Sequence, residues 1–294
     1  MPRRSMATHG SGRAWGYDGR MVRGLIGAVR LIHPAPALAV TLLSAALAAI
    51  LAAQLDASVD SGLLALVTLS VFGSQVVTGA TNDLADMPRD VALRPNKPLV
   101  AGDLSPSSAL WIASAGLALH AVTGWQLGVA PFVLGLVATG SALVYNVWLS
   151  RTPASVIPYI VSFGILPAWI GVAVGAPLER VGPAVVLGSM FAAAAHLANT
   201  LRDFESDAAI GSRCLAQVLG ERRARYIAVG LAGGVALTVA IIFLTAGELR
   251  PASAALGLVG LVAIGQGAGD ARRLWPGMLV AAVAWTAAWA LATG

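Results

Sequence analysis

The chain has 294 residues, 57% hydrophobic and 11% charged, less than half the roughly 25% charge of an ordinary soluble domain. That places it in the membrane class; its net charge of +5 does not mark a nucleic-acid binder, because the basic residues lie between apolar runs and form no patch on a soluble domain. The single cysteine, Cys214, excludes an intramolecular disulfide framework and a cysteine zinc cluster, and reads as a small buried residue.

Residues 1–22 hold Arg3, Arg4, Arg13 and Arg20 among glycine and serine. They read as a disordered, basic cytoplasmic tail and not as a signal peptide, since no cleavage-like end follows. A transmembrane domain is expected over residues 23–294. Its apolar runs fall at about 24–55, 61–84, 106–126, 129–149, 154–176, 182–203, 222–247, 252–268 and 274–292. Runs of this length can cross a bilayer, so the expectation is an all-α membrane protein with nine transmembrane helices.

Lysine and arginine accumulate on the cytoplasmic side of short loops. With the N-terminus inside, sixteen of the nineteen fall on inside segments, Arg180 and Arg250 fall outside, and Arg30 lies within the first run. The bias supports the helix count and puts the chain's two acidic clusters on the cytoplasmic side.

Those clusters are Asn82-Asp83-Leu84-Ala85-Asp86-Met87-Pro88-Arg89-Asp90 and Asn199-Thr200-Leu201-Arg202-Asp203-Phe204-Glu205-Ser206-Asp207. Each has Asn, Asp and Asp at spacings of four, and the offset between them is 117 residues at all three positions. The equal offset points to two pseudo-repeated four-helix units plus one further helix. On a helix, such triplets share nearly one face. Pro88 is expected to end or kink its helix before Asp90 and leave that carboxylate on the loop.

Acidic residues at a membrane are costly and mark functional sites. Facing carboxylates suit Mg2+, a hard ion that bridges a few carboxylates to substrate phosphates; no histidine or cysteine spacing competes for zinc or copper. Arg94 and Lys97 follow the first cluster, Arg213 follows the second and Arg151 lies between the fourth and fifth runs. Cations beside the acids point to a metal-bridged diphosphate, not to a bare cation site. The apolar interior, with tryptophans such as Trp111, Trp169 and Trp285, could line a lipid chain and face a carbocation. Together these features read as ionisation of an allylic diphosphate in a site closed to water.

The chain resembles the UbiA superfamily of intramembrane prenyltransferases. The resemblance lies in Asn82, Asp83, Asp86 and Asp90; in Asp203, Asp207 and Gly211; in Arg94-Pro95-Asn96-Lys97-Pro98-Leu99 with Gly102; in Tyr145-Asn146 followed by Arg151-Thr152-Pro153; and in Leu219-Gly220. It departs where Thr200 follows Asn199 and Ser150 precedes Arg151. The resemblance implies a nine-helix bundle around a central cavity and Mg2+-dependent transfer of a prenyl group, usually to a small aromatic or quinone-precursor acceptor. It implies metal ligands from Asn82, Asp83, Asp86, Asp90, Asp203 and Asp207, with Asp86, Asp90, Asp203 and Asp207 catalytic. Diphosphate contacts fall to Lys97, Arg94, Arg151, Arg213, Asn82, Asn199 and Tyr145, and acceptor contacts to Arg30, Asn146 and His196. His33 stands beside Arg30 in the region where the family often has a basic residue reaching the cavity.

Other features have bland readings. Glu205 falls off the acidic face, Arg222, Arg223 and Arg225 suit anionic lipid heads, and His120 suits packing. A membrane terpene cyclase would use the same ionisation without an acceptor. A transporter would place its charges near mid-membrane, in broken helices.

Overall fold

The computed structural model describes residues 14–55, 60–248 and 250–293. The helices are α1 Ala14–Leu31, α2 Pro34–Gln54, α3 Ser61–Leu93, α4 Pro106–Gln126, α5 Val129–Val144, α6 Val156–Ala173, α7 Leu178–Arg202, α8 Phe204–Ala209, α9 Leu215–Leu219, α10 Glu221–Ala246, α11 Pro251–Gly269 and α12 Ala271–Thr293. A π-helical turn over Tyr145–Leu149 extends α5, and a 3-10 turn over Pro153–Ser155 leads into α6. Consecutive long helices pack side by side, and α12 returns against α2 and α7 to close the bundle. Each acid-bearing helix, α3 and α7, is followed by three long helices, α4–α6 and α10–α12.

Among the described residues, eight helices are long and apolar enough to cross a bilayer. The expected run at 106–126 forms a helix of 21 residues, α4, but it is not among the eight. Its serines, His120 and Gln126 lower its mean hydropathy, so by this measure the count is one short of nine.

The apolar run at 24–55 is not one span. His33 adopts a left-handed backbone, φ 51°, and Pro34 and Pro36 begin a new helix in their favoured first-turn positions. The resulting α1 exposes Met21, Leu25, Ile26 and Val29 beside Arg23 and Arg30 and buries Gly27 and Leu31. This is the pattern of an interfacial helix. Residues 14–22, expected in a disordered tail, therefore belong to a helix; residues 1–13 lie outside the described residues.

Pro88 does not end α3. The helix runs to Leu93 and carries Asp90 inside its last turns, 1% exposed. Proline removes one backbone hydrogen bond, but Arg89 pairs with Asp86 at i,i+3 and Arg94 with Asp90 at i,i+4, and the Arg94 N–H donates to the Asp90 carbonyl at 2.8 Å. These contacts hold the turn that proline weakens. The first acidic cluster consequently lies within a helix rather than at its end.

Lipid tails are as apolar as leucine, so helices in a bilayer associate through close backbone approach and interhelical hydrogen bonds. At the α3–α4 crossing, a Cβ on Gly73 would lie 2.7 Å from the Gly116 carbonyl oxygen, and one on Gly116 would lie 2.7 Å from Val76 Cγ1. Beside this crossing a buried polar chain ties α3, α4 and α5. Ser70 Oγ lies 3.0 Å from His120 Nδ1, Thr139 Oγ1 3.1 Å from His120 Nε2, and Ser74 Oγ 2.8 Å from Thr139 Oγ1. His120 is thus a packing residue with both ring nitrogens satisfied. Further along α3, Gly79 lets the α1–α2 junction sit on the helix, where a Cβ would be 3.0 Å from Ile32 backbone atoms.

Gly116→Leu should force α3 and α4 apart, because overpacking costs on the order of 1–3 kcal/mol. Thermal unfolding in detergent should fall by roughly 5 °C, whereas Gly234→Leu, with open space around its Cβ, should melt like the parent. Equal melting of the two variants would contradict this account of the crossing.

Candidate active site

The last turns of α3, the end of α7, α8 and the π turn after α5 converge at one mouth of the bundle. A cavity of about 90 Å³ there is lined by Asn82, Asp86, Arg89 and Arg94 from the first cluster, Asn199, Thr200, Arg202, Asp203 and Asp207 from the second, and Tyr145, Ser150 and Ser212. Both acidic clusters therefore face one space.

Arginines on α3, just after it and elsewhere at the mouth join them. Arg89 Nη2 lies 2.9 Å from Asp86 Oδ2 and its Nη1 3.5 Å from Asp207 Oδ1. Arg94 Nη2 lies 2.7 Å from Asp203 Oδ2 and its Nη1 3.7 Å from Asp90 Oδ1. Arg151 Nη2 reaches Asp86 Oδ1 at 3.3 Å, and Arg202 reaches Asp203 at 3.2 Å. α7 stops at Arg202 and restarts as α8, yet the Asp207 N–H donates to the Asp203 carbonyl at 2.9 Å. The break leaves Asp203 and Asp207 one turn apart, on the side facing α3.

Asp83 is placed differently from the other acids. Only 2% exposed, it lies outside the cavity wall and bonds to Lys97 and to His33 Nε2, the latter at 2.9 Å. The left-handed His33 is what aims its ring at this carboxylate, and Gly79, one turn earlier on α3, permits the approach. Lys97 also lies 3.6 Å from Asp90 Oδ2. Arg30, expected near the acceptor, donates instead to the Asn96 carbonyl at 2.5 Å. Together these bonds clamp the α1–α2 junction and the loop after α3 onto the first cluster.

The remaining expected residues divide. Tyr145 and Asn199 line the cavity, and Asn199 Nδ2 donates to the Tyr159 hydroxyl at 3.4 Å. Asn146 is buried; its Nδ2 donates to the Thr78 carbonyl at 2.8 Å and its Oδ1 accepts from Asn82 Nδ2 at 3.4 Å, so it holds Asn82 in place. His196 is fully buried and bonds Ser155 Oγ at 2.9 Å, leaving Nδ1 without a partner. Its ring packs with Tyr145 and Tyr159 in an aromatic group beneath the cavity. Arg213 is exposed, and its backbone N–H donates to the Arg151 carbonyl at 3.1 Å; its side chain is not part of the cavity wall. Trp111, Trp125 and Trp148 point outward, while Trp169 and Trp285 are bonded within the bundle.

Arg89 is the residue that sequence reasoning missed. It enters the sequence reading only as one of the sixteen basic residues on inside segments; its i,i+3 spacing from Asp86 is the available signal. Arg202, inside the expected run at 182–203, is not singled out either.

Charge and burial oppose each other outside the membrane-spanning segments. Burial pushes the Asp207 carboxyl above its ordinary value, against the pull of Arg89. For Arg94 burial alone would lower the value, but the carboxylates of Asp203 and Asp90 outweigh it and move the guanidinium upward, firmly charged.

Asn82, Asp86, Asp90, Asn199, Asp203 and Asp207 offer the oxygen donors that Mg2+ prefers. Both Asp90 carboxylate oxygens are buried without a hydrogen bond, which is the condition of ligands with coordinating capacity to spare. The donor set fits a divalent ion in kind. Among the described residues, no three acidic, histidine or cysteine side chains converge closely enough to hold one as they stand.

The bundle and its mouth define a multi-pass membrane protein with a polar, two-helix acidic site at one end. The UbiA prenyltransferase family matches residues 41–292, and the chain belongs to that family. Digeranylgeranylglyceryl phosphate synthase of Thermococcus kodakarensis is 29% identical over 163 residues, 55% of this chain and 58% of that protein. The bacteriochlorophyll synthase 33 kDa chain of Rhodobacter capsulatus is 29% identical over 195 residues, 59% of this chain and 62% of that protein. The chain thus spans about three fifths of the length of these curated relatives. A UbiA homolog from Aeropyrum pernix superposes with a TM-score of 0.68 at 18% identity, covering 85% of this chain and 96% of that one. A UbiA homolog from Archaeoglobus fulgidus bound to GPP and Mg2+ gives 0.67 at 19% identity, covering 91% and 100%.

Asp83→Ala should unlatch Lys97 and the α1–α2 junction together, since removing one partner of a buried ion pair costs about 3–5 kcal/mol. Lower thermal stability and faster proteolysis near residue 33 are expected. An unchanged melting profile would contradict the clamp.

Proposed function

We propose that the protein transfers a prenyl group from an isoprenyl diphosphate to an acceptor held at the membrane, with Mg2+ as cofactor. The observation that carries this reading is the junction of the two acidic clusters across one mouth, with Arg89 and Arg94 each touching both. Asn82, Asp86, Asp90, Asn199, Asp203 and Asp207 would hold the metal. When bound, Mg2+ neutralises the departing diphosphate so that the carbon–oxygen bond can break. Asp83, engaged by His33 and Lys97, is better assigned to positioning than to coordination.

The basic groups take the phosphate oxygens. Lys97 and Arg94 approach from the α3 side and Arg151 from the loop after the π turn, with Arg213 beside it. Guanidinium forks bind such oxygens in pairs. The apolar bundle below accommodates the prenyl tail and excludes water from the cation left on the prenyl carbon when the diphosphate departs. Tyr145, Tyr159 and His196 present aromatic surfaces just beneath the cavity, where π faces stabilise positive charge and a planar aromatic or quinone-precursor acceptor would stack. Asn146 fixes Asn82, and the aromatic group orients Asn199 through Tyr159.

The relatives named above are a digeranylgeranylglyceryl phosphate synthase and a bacteriochlorophyll synthase chain, so their acceptor classes belong in the same trial. The excess of arginine on the mouth side supports a cytoplasmic mouth and N-terminus.

The direct test offers purified protein a panel of isoprenyl diphosphates with Mg2+, with and without aromatic, glyceryl phosphate and chlorophyll-type acceptors, and identifies products by mass. A prenylated acceptor is expected. Hydrocarbon formed without any acceptor would instead establish a cyclase, and no diphosphate release under any condition would remove the reading.

Asp86→Ala and Asp203→Ala should each lower turnover by about a hundredfold or more while leaving the helical content of the bundle intact by circular dichroism. Activity within twofold of the parent in either variant would exclude that residue from the site.

A further inference from the structure

The carboxylates at the mouth already have cationic partners. The five, Asp83, Asp86, Asp90, Asp203 and Asp207, are matched by five cationic side chains, Arg89, Arg94, Lys97, Arg151 and Arg202. The central one is Arg89, whose side chain is 14% exposed. Its guanidinium lies 2.9 Å from Asp86, 3.5 Å from Asp207 and 4.0 Å from Asp90, so a single cation touches acids of both clusters. Its Nε is buried without a hydrogen bond, so the fork is incompletely satisfied where it sits. Arg89 also forms part of the wall of a second, larger hollow of about 400 Å³, shared with Pro88, Ala92, Arg151, Ile210, Gly211 and Ser212. Arg89 therefore borders open space into which its side chain can shift while it stays at the mouth.

We propose that Arg89 is a built-in counter-cation that holds the bridging place between Asp86 and Asp207 and yields it to a divalent metal only when a diphosphate arrives. This rests on the reading of the mouth as a metal and diphosphate site, and adds an order of binding to it. A divalent ion entering alone meets carboxylates already paired, with a fixed positive charge between them. Like charges at such spacing in a poorly solvated site repel strongly. A diphosphate reverses the balance: its negative oxygens accept the Arg89 fork, and the carboxylates it leaves become metal ligands. The guanidinium moves from carboxylate to phosphate without being lost to water. Metal uptake is thereby coupled to substrate, and each favours the other, as linkage requires. An acidic site without such a residue would load metal first.

The test measures Mn2+ binding by electron paramagnetic resonance on the intact protein in detergent, with and without inorganic pyrophosphate as the probe. No turnover is needed. In the parent, Mn2+ affinity should rise at least about tenfold on adding pyrophosphate, after correction for the Mn2+–pyrophosphate complex in buffer. Arg89→Met removes the charge at similar length and should bind Mn2+ alone at least about tenfold tighter than the parent. Arg89→Lys, which keeps the charge, should stay close to the parent. The proposal is overturned if the parent binds Mn2+ equally well without pyrophosphate, a measurement that does not depend on any variant folding. It is also overturned if Arg89→Met binds Mn2+ alone no better than the parent, or if Arg89→Lys matches Arg89→Met. Absence of Mn2+ binding by the parent both with and without pyrophosphate is a different result: it removes the metal and diphosphate reading itself, and this inference with it.

Discussion

Everything at the mouth depends on compensating buried charge. Four of the five acids lie on α3 or at the end of α7, and the fifth on α8 just beyond, with Asp83, Asp86 and Asp90 each less than a tenth exposed. A charge so placed is strongly unfavourable unless it has a partner, and the partners come from across the mouth as well as from the same helix. Arg89 joins Asp86 and Asp90 of the first cluster to Asp207 of the second, and Arg94 joins Asp90 to Asp203. α3 and α7 are thereby held at a fixed separation by the groups that would act on a substrate.

That arrangement explains several local departures from ordinary helix behaviour. α3 continues through Pro88 because the two arginines beyond it are paired back to Asp86 and Asp90. α7 breaks at Asp203 and resumes as α8, which turns Asp207 toward Arg89. The helix after α5 widens into a π turn at Tyr145–Leu149, and such turns recur at functional sites; here it directs Tyr145 to the cavity and Asn146 to α3. His33 takes a left-handed backbone to reach Asp83. Irregularity is concentrated where side chains must point at one space, whereas the lipid-spanning lengths remain regular.

The rest of the bundle makes this possible by being tightly joined through small residues. Gly73 and Gly116 bring α3 and α4 into backbone contact, and the Ser70, His120, Thr139 and Ser74 chain extends that grip to α5. In lipid such contacts do the work that hydrophobic burial does in water. They keep α3 from shifting along its axis, which would separate Asp86 from Asp207. The pairing of buried Asp83 with Lys97 and His33 serves the same end beside the mouth, anchoring the loop that carries Lys97.

Much was legible in one dimension. Membrane class, long helices and the two acidic triplets follow from composition and from a repeat of spacing, because apolar length and i,i+4 periodicity are properties of the chain itself. The convergence of Asn82, Asp86, Asn199, Asp203 and Asp207 on one cavity agrees with that spacing. What tertiary structure alone decided is who pairs with whom. Proline and the apolar run predicted a helix end before Asp90 and a single first span; the ion pairs of Arg89 and Arg94, and the seat that Gly79 offers His33, reversed both. Asp83 looks like its neighbours in sequence yet turns to a lysine and a histidine, and Arg89 looks like a loop charge yet sits among the acids. Arg89 and Arg94 reach acids more than a hundred residues away in the chain, and the Coulomb and desolvation energies of those pairs exist only once the bundle has brought them into contact.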